Sequence, residues 1–188
     1  MANPNNNYNL HPEWALSGFN VAHRFVSSVV YELPFARHNR FAGGWELCSI
    51  LTLQTGFPVS IRDGLDQSNT GNYSDRPNAT GQPTRLSTRT ASRWFNTGAY
   101  AVQTFGTFGN AGRNTVIGPG IVGVDLSAQK NFRLAEKKFL QFRFEAFNLP
   151  NHPNLGDPGN LVTVNGFGTI TTTRTDMRDL QMALKLVF

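Results

Sequence analysis

The chain contains one cysteine, few charged residues and no long apolar run. Cys48, as the single cysteine, excludes an internal disulfide and belongs to no metal-binding motif. Because no apolar stretch reaches about eighteen residues, no membrane-spanning helix is predicted. Charged residues make up only 15% of the 188 positions, whereas Gly (18) and Phe (15) are abundant. This composition is typical of β-strands joined by many turns.

Motifs for catalysis, metal binding and nucleic-acid binding are also missing. The net charge is +5, but the basic residues are scattered singly, so no nucleic-acid partner is predicted. The four histidines lack the spacing of a zinc site; they are His11, His23, His38 and His152. No serine, cysteine or carboxylate lies in a nucleophile motif. We therefore expect no enzyme activity, no cofactor and no metal site.

The clearest pattern lies in the last nine residues, LQMALKLVF. Large apolar side chains occupy every second position; they are Leu180, Met182, Leu184, Leu186 and Phe188. This alternation predicts a strand with one apolar face. Such a strand, ending in Phe, is typical of the last strand of bacterial outer-membrane β-barrels, where the final residues also act as an assembly signal. An edge or core strand of a soluble β-sandwich alternates in the same way.

Alternation predicts six strands in all, at about 24–33, 44–55, 58–62, 121–134, 139–148 and 178–188. The strand at 58–62 has the weakest pattern. The predicted apolar faces consist of Phe25, Val29, Tyr31, Leu33, Trp45, Leu47, Leu51, Leu53, Val122, Val124, Leu126, Ala128, Phe132, Leu140, Phe142, Phe144 and Ala146, together with the C-terminal set. Lys130 interrupts this face near a turn, where a charge facing lipid costs only about 0–1 kcal/mol.

Strand length and connection length favour a membrane barrel over a sandwich. Soluble strands are usually about five or six residues long, whereas tilted membrane strands need about nine to eleven. The turns at Gly56 and at 135–138 are short, and the connections at the other strand ends are long. Short periplasmic turns and long extracellular loops are typical of outer-membrane barrels, and this pattern places the C-terminus on the periplasmic rim. Basic loops facing anionic lipopolysaccharide explain the positive charge.

The longest loop, at 63–120, is predicted to be extracellular. Its aromatic residues Trp94, Phe95 and Tyr100 are a candidate ligand-contacting surface, although packing of the loop against itself is the favoured interpretation. The start of the loop carries oxygen ligands that suit Ca²⁺, in Asp63, Asp66, Asn69, Asn72 and Asp75. Because it lacks the regular alternation of a calcium loop, a solvated, turn-rich segment is favoured there.

Six strands are too few for a complete barrel. The smallest barrels close at about eight strands, and open edges leave backbone groups that lipid cannot satisfy. The polar start of the chain also lacks a secretory signal. We therefore expect a C-terminal fragment of a longer protein, with Phe188 at the seam where the barrel closes.

Sequence motifs along nearly the whole chain resemble the C-terminal barrel of TonB-dependent outer-membrane receptors of the Oar-like group. The motifs are HRFV at 23–26, YELPF at 31–35, GGW at 43–45, TGFP at 55–58, RPN at 76–78, WFN at 94–96, FGNAGRN at 108–114, GPG at 118–120, DLS at 125–127, KNF at 130–132, LQFRFEAFN at 140–148, NHPN at 151–154 and the final Phe188. No single motif is decisive, but their order and spacing together are fairly specific.

The resemblance implies an all-β fold, an antiparallel meander forming the last six strands or so of a transmembrane β-barrel. It implies a location in the bacterial outer membrane and uptake of a bulky nutrient, such as an oligosaccharide, peptide or metal chelate. The implied partners are outer-membrane lipid, the rest of the barrel and its plug, the TonB complex and the barrel-assembly machinery. Two alternatives remain open: a soluble β-rich carbohydrate-binding module, and a small structural membrane protein that closes its barrel by oligomerising.

Overall fold

The computed structural model describes residues 4–34, 39, 41–71, 73 and 75–188. The chain divides into two units. The sheet unit consists of His23–Gln54, Ile121–Asn154 and Thr175–Phe188, and the loop unit consists of Met1–Ala22, Thr55–Gly120 and Leu155–Arg174. Among the described residues, the only helices are two single 3₁₀ turns, His11–Glu13 and Thr97–Ala99. No helix in this part of the chain is long and apolar enough to cross a membrane.

The strands are numbered in chain order. They are β1 (Arg24–Glu32), β2 (Trp45–Gln54), β3 (Pro58–Val59), β4 (Asn78–Ala79), β5 (Tyr100–Ala101), β6 (Val116–Ile117), β7 (Ile121–Arg133), β8 (Phe139–Phe147) and β9 (Asp179–Val187). The sheet unit is one antiparallel sheet in the order β1-β2-β7-β8-β9. Its five strands are 9 to 13 residues long, so each reaches the length that a tilted membrane strand needs.

The register places every predicted apolar position within these strands on the same face. Directly opposite residues project to the same side of a sheet. Ala146 lies opposite both Leu126 and Leu180, and Leu126 lies opposite Ser49. The same parity continues into β1, where Val29 lies opposite Ser49. The faces that alternation predicted are therefore confirmed across all five strands.

The predicted strand at 58–62 is wrong. Only Pro58–Val59 is a strand, and it pairs with Val116–Ile117 inside the loop unit instead of joining the main sheet. Gly56 does not form a hairpin turn: a Cβ atom there would lie 1.9 Å from the Gly118 carbonyl oxygen. The glycine is needed because two backbone segments approach closely. Five strands, not six, therefore form the sheet.

Removing that strand changes which connections share a rim of the sheet. The connection from β1 to β2 now lies on the same rim as the short turn after β7 and the end of β9. From the sequence, the connection from β1 to β2 was expected on the rim of the long loops. Positions 35–38 and 40 of this connection lie outside the described residues. The connections after β2 and after β8 start from the opposite rim. The connection at 33–44 is longer than the turns predicted for its rim, but the two longest connections, at 55–120 and 148–178, share the opposite rim. The two rims are called the short-turn rim and the long-loop rim.

The loop unit has its own hydrophobic core. Phe95, Tyr100 and Phe167 pack edge to face, with ring centroids 5.2 to 6.3 Å apart. The rest of the buried cluster consists of Ile61, Ala99, Ala111 and Val116. Two short ladders, β3 with β6 and β4 with β5, hold the surrounding backbone. The long loop is therefore a folded structure, and the predicted packing of its aromatic residues against one another is confirmed for Phe95 and Tyr100.

Candidate functional site

The apolar face of the sheet is exposed on its outer strands, β1 and β9, and mostly half-buried on the three strands between them. In β9, Leu180, Met182, Leu184 and Leu186 keep 55 to 72% of their surface accessible. Phe25, Val29 and Tyr31 of β1 are also more than half exposed. Soluble monomers rarely leave a contiguous set of large apolar side chains uncovered. The arrangement fits contact with lipid or with another apolar surface.

Strand β9 extends this face by strand pairing. Leu184 lies opposite Phe142, and Leu186 lies opposite Leu140. Phe188 follows the strand and is 89% exposed. Its role as an assembly signal stays a prediction.

A cluster of aromatic residues surrounds the one cation of the apolar face, near the short-turn rim. The ammonium of Lys130 donates a hydrogen bond to the carbonyl oxygen of Phe41 at 2.7 Å and another to that of Gly43. Its Nζ lies 4.9 Å from the ring centroid of Phe132 and 5.7 Å from that of Trp45. Only 4% of Lys130 is accessible. The sequence had predicted that this charge would face lipid at a rim, whereas it is covered by rings and carbonyl groups.

The opposite face of the sheet carries polar groups in contact with one another. Gln129 donates to the Glu46 carboxylate, and Arg143 lies 3.8 Å from Glu145. Arg143 is also directly opposite Gln129 in the ladder. These contacts favour a wall of paired polar groups of the kind that lines a barrel lumen.

The outer strands β1 and β9 each have a single neighbour, so the sheet has two free edges. Each free edge carries backbone donors and acceptors that no other described strand pairs. Within a bilayer such groups cost several kcal/mol each unless another strand satisfies them. The sheet is therefore open and suited to accept further strands on both sides.

The candidate ligand-contacting residues of the loop lie in different environments. Phe95 and Tyr100 are buried in the core, and the Tyr100 hydroxyl hydrogen-bonds to the Thr115 hydroxyl at 2.7 Å. Trp94 is half-buried, and its Nε1 donates to the Ile117 carbonyl at 2.8 Å. The Trp94 ring borders a cleft of about 180 Å³. Trp94 and Phe95 both line this cleft, whereas Tyr100 does not. Ligand contact stays a prediction.

The same cleft contains two residues that the sequence reading missed. Arg85 and Arg89 both line it, and the guanidinium carbon of Arg89 lies 5.3 Å from the centroid of the Trp94 ring. Burial, together with the nearby Arg85 charge, lowers the pKa of Arg89. A signal was present in the sequence, because no Asp or Glu occurs between Asp75 and Asp125.

The acidic part of the loop is held by its own turns. The Asp66 carboxylate accepts backbone hydrogen bonds from Thr70 and Gly71, and Asp75 accepts from the Ser68 amide at 2.7 Å. No group of three or more His, Cys, Asp or Glu side chains among the described residues could hold a metal ion. Asn72, one of the candidate calcium ligands, lies outside the described residues.

Asp63 is fully buried, and neither of its carboxylate oxygens has a hydrogen-bond partner of ordinary geometry. Burial raises the pKa of Asp63 to about 6. The Gln103 amide opposes this rise and the Asp75 charge adds to it. The Asp63 carboxyl therefore changes its protonation state near pH 6.

Comparison with known protein families gives a match over most of the chain. Residues 1–181 match the family described as "Outer membrane beta barrel domain". The match includes β1, β2, β7, β8 and the start of β9, and therefore most of the apolar face. No curated protein and no solved structure matches the chain.

Proposed function

Because the chain belongs to the outer membrane beta barrel domain family, we propose that it forms five strands and two long loops of a TonB-dependent transporter. The protein is located in the bacterial outer membrane. The proposed cargo is a bulky nutrient, such as an oligosaccharide, a peptide or a metal chelate. We propose no catalytic role and no cofactor.

The exposed apolar face carries the membrane part of this proposal. Five strands of at least nine residues present apolar side chains on one side and mostly polar side chains on the other. Lipid outside and a polar lumen inside require this alternation. Family membership and location favour this arrangement over the soluble carbohydrate-binding module.

The two free edges support a larger barrel. Barrels close at about eight strands or more, so further strands must pair with β1 and β9. We propose that the rest of a receptor barrel supplies them and that a plug faces the polar wall containing Arg143 and Glu145. Barrel-assembly machinery and the TonB complex are the further proposed partners.

Active uptake is supported by the ordered motifs shared with Oar-like receptors and by the folded loop unit. Extracellular loops with a core of their own can present a fixed surface to a large ligand. The long-loop rim would face outward, and the short-turn rim would face the periplasm.

Growth tests address the energy-coupled step. Three strains are compared, the wild type, a deletion of this gene and a deletion of tonB, each on single polysaccharides, peptides or chelated iron as the limiting nutrient. We expect at least one nutrient on which both deletions fail and the wild type grows. Loss of growth in the gene deletion that the tonB deletion does not reproduce would argue for a structural barrel protein instead.

A further inference from the structure

The positive charge of the protein is concentrated in one segment. Residues 76–124 contain five arginines and no Asp, Glu or Lys, so this segment alone accounts for the net charge of +5. One of the five is neutralised, because Arg76 forms an ion pair with Glu13 at 2.6 Å. Two of the others, Arg85 and Arg89, share the cleft beside Trp94. No ion pair to either is found among the described residues.

The cleft offers both charge and an apolar wall. Thr84 and Thr115 add hydroxyl groups, and the remaining lining residues are Trp94, Phe95, Val116 and Ile117. The hydrogen bond from Trp94 to Ile117 fixes the indole in place. No carboxylate lines the cleft, so the two arginines that line it have no counter-charge there. Burial and the Arg85 charge both lower the pKa of Arg89, and like charges repel until an anion neutralises them.

The volume limits what can enter. A cavity of about 180 Å³ is smaller than the roughly 300–1,000 Å³ of sites for drug-sized molecules. It suits one ring with one charged substituent. Arginine forms paired hydrogen bonds to carboxylate and phosphate, and Trp and the apolar wall pack against the flat side of a ring.

We propose that Arg85, Arg89 and Trp94 form a binding site for an anionic ring, a sugar that carries a carboxylate or a phosphate. The anion sits between the two guanidinium groups, and the ring packs beside Trp94 and Ile117. This chemistry occurs in diffusible acidic sugars and in the phosphorylated sugars of lipopolysaccharide. The site needs no energy coupling, so it holds whether or not TonB drives transport.

Binding to the detergent-purified protein tests this site. Glucuronate, glucose 6-phosphate and neutral glucose are titrated by calorimetry against the wild type, Arg85→Gln, Arg89→Lys and Arg93→Gln. Arg93 is exposed, lies in the same loop and does not line the cleft, so Arg93→Gln is the matched charge control. We expect both acidic sugars to bind, glucose to fail, and Arg85→Gln to weaken binding about tenfold or more.

Two further measurements identify the source of the anion and guard against misfolding. Purified lipopolysaccharide is titrated in the same way. If lipopolysaccharide binds, the free sugars do not, and Arg85→Gln weakens the binding, the site is assigned to lipid. If the free acidic sugars bind, the site is assigned to a solute. Arg89→Lys keeps the charge and should retain part of the affinity. Equal binding of glucuronate and glucose, no binding of any anionic probe, or equal losses in Arg85→Gln and Arg93→Gln, would overturn the proposal.

Discussion

Lys130 lies on the face that otherwise carries only apolar and small side chains. Its ammonium is satisfied by the carbonyl groups of Phe41 and Gly43, and Gly43 is buried. The side chain therefore holds the connection between β1 and β2 against β7. A substitution that keeps the length and removes the charge isolates this function.

Lys130→Met should destabilise the sheet unit by about 1–3 kcal/mol, because a buried carbonyl loses its donor. The measurement is denaturant unfolding in lipid bilayers, with hydrogen exchange at residues 41–45 reporting the local effect. Lys137→Met, in the exposed turn after β7, is the control and should change neither. Unchanged exchange at residues 41–45 in Lys130→Met would show that the ammonium does not hold this connection.

Asp63 makes the stability of the loop unit depend on pH. Its folded pKa of about 6 lies above the ordinary value of 3.8, so the folded state binds its proton more tightly than the unfolded state does. The stabilising contribution is therefore complete below about pH 4 and is lost as the pH rises through 6. A shift of this size corresponds to about 3 kcal/mol at most.

Asp63→Asn should raise the stability of the loop unit at pH 7 by about 1–3 kcal/mol and leave it nearly unchanged at pH 4. Unfolding followed by hydrogen exchange at Ile61 and Phe95, at both pH values, measures this. Asp66→Asn is the comparison, because that carboxylate already accepts two backbone hydrogen bonds and should gain nothing. A stabilisation of Asp63→Asn that is equal at both pH values would contradict the account.

Among the single strands, β9 has the most regular alternation, with a large apolar side chain at every second position. Leu184→Arg places a charge on the apolar face near the middle of the strand, at a cost of about 2–4 kcal/mol in a bilayer. Gln181→Arg places the same charge on the other face, directly opposite Glu145. We expect Leu184→Arg to lower the amount of heat-modifiable, protease-resistant protein in outer-membrane fractions and Gln181→Arg to leave it unchanged. Equal effects of the two variants would remove the argument for a lipid-facing side.

The strands of the sheet could be predicted from the sequence because alternation records which face each side chain occupies. Leu126, Phe144 and Met182 each show this locally, so no knowledge of their partners was needed. The error at 58–62 has the opposite cause. Val59 and Ile61 also alternate, but the partner of Val59 is Val116, far along the chain, and local pattern does not show it.

The cleft beside Trp94 could not be predicted from the sequence, for a similar reason. The absence of acids near Arg85 and Arg89 is visible in the sequence, but their arrangement depends on Val116 and Ile117, about thirty residues away. The sequence predicted that Phe95 and Tyr100 pack within the loop, but it did not show that Phe167, far along the chain, is their shared partner. Their contacts with Phe167 placed them in the core.

At the scale of the whole molecule, the free edges of β1 and β9 decide how the barrel closes. Strands from the same receptor and strands from further copies of this chain satisfy the backbone equally well. The proposed receptor requires a barrel that contains one copy of this sheet. A barrel built from several copies of this chain would instead correspond to the small structural membrane protein that the sequence left open as an alternative.

The central claim is that the face containing Leu180, Met182, Leu184 and Leu186 contacts lipid. After Cys48→Ser removes the free cysteine, single cysteines at 180 to 187 are labelled with a fluorophore in outer-membrane protein reconstituted with nitroxide lipids. Quenching should be strong at 180, 182, 184 and 186 and weak at 181, 183, 185 and 187. Quenching without this alternation, or strongest at the odd positions, would contradict the account.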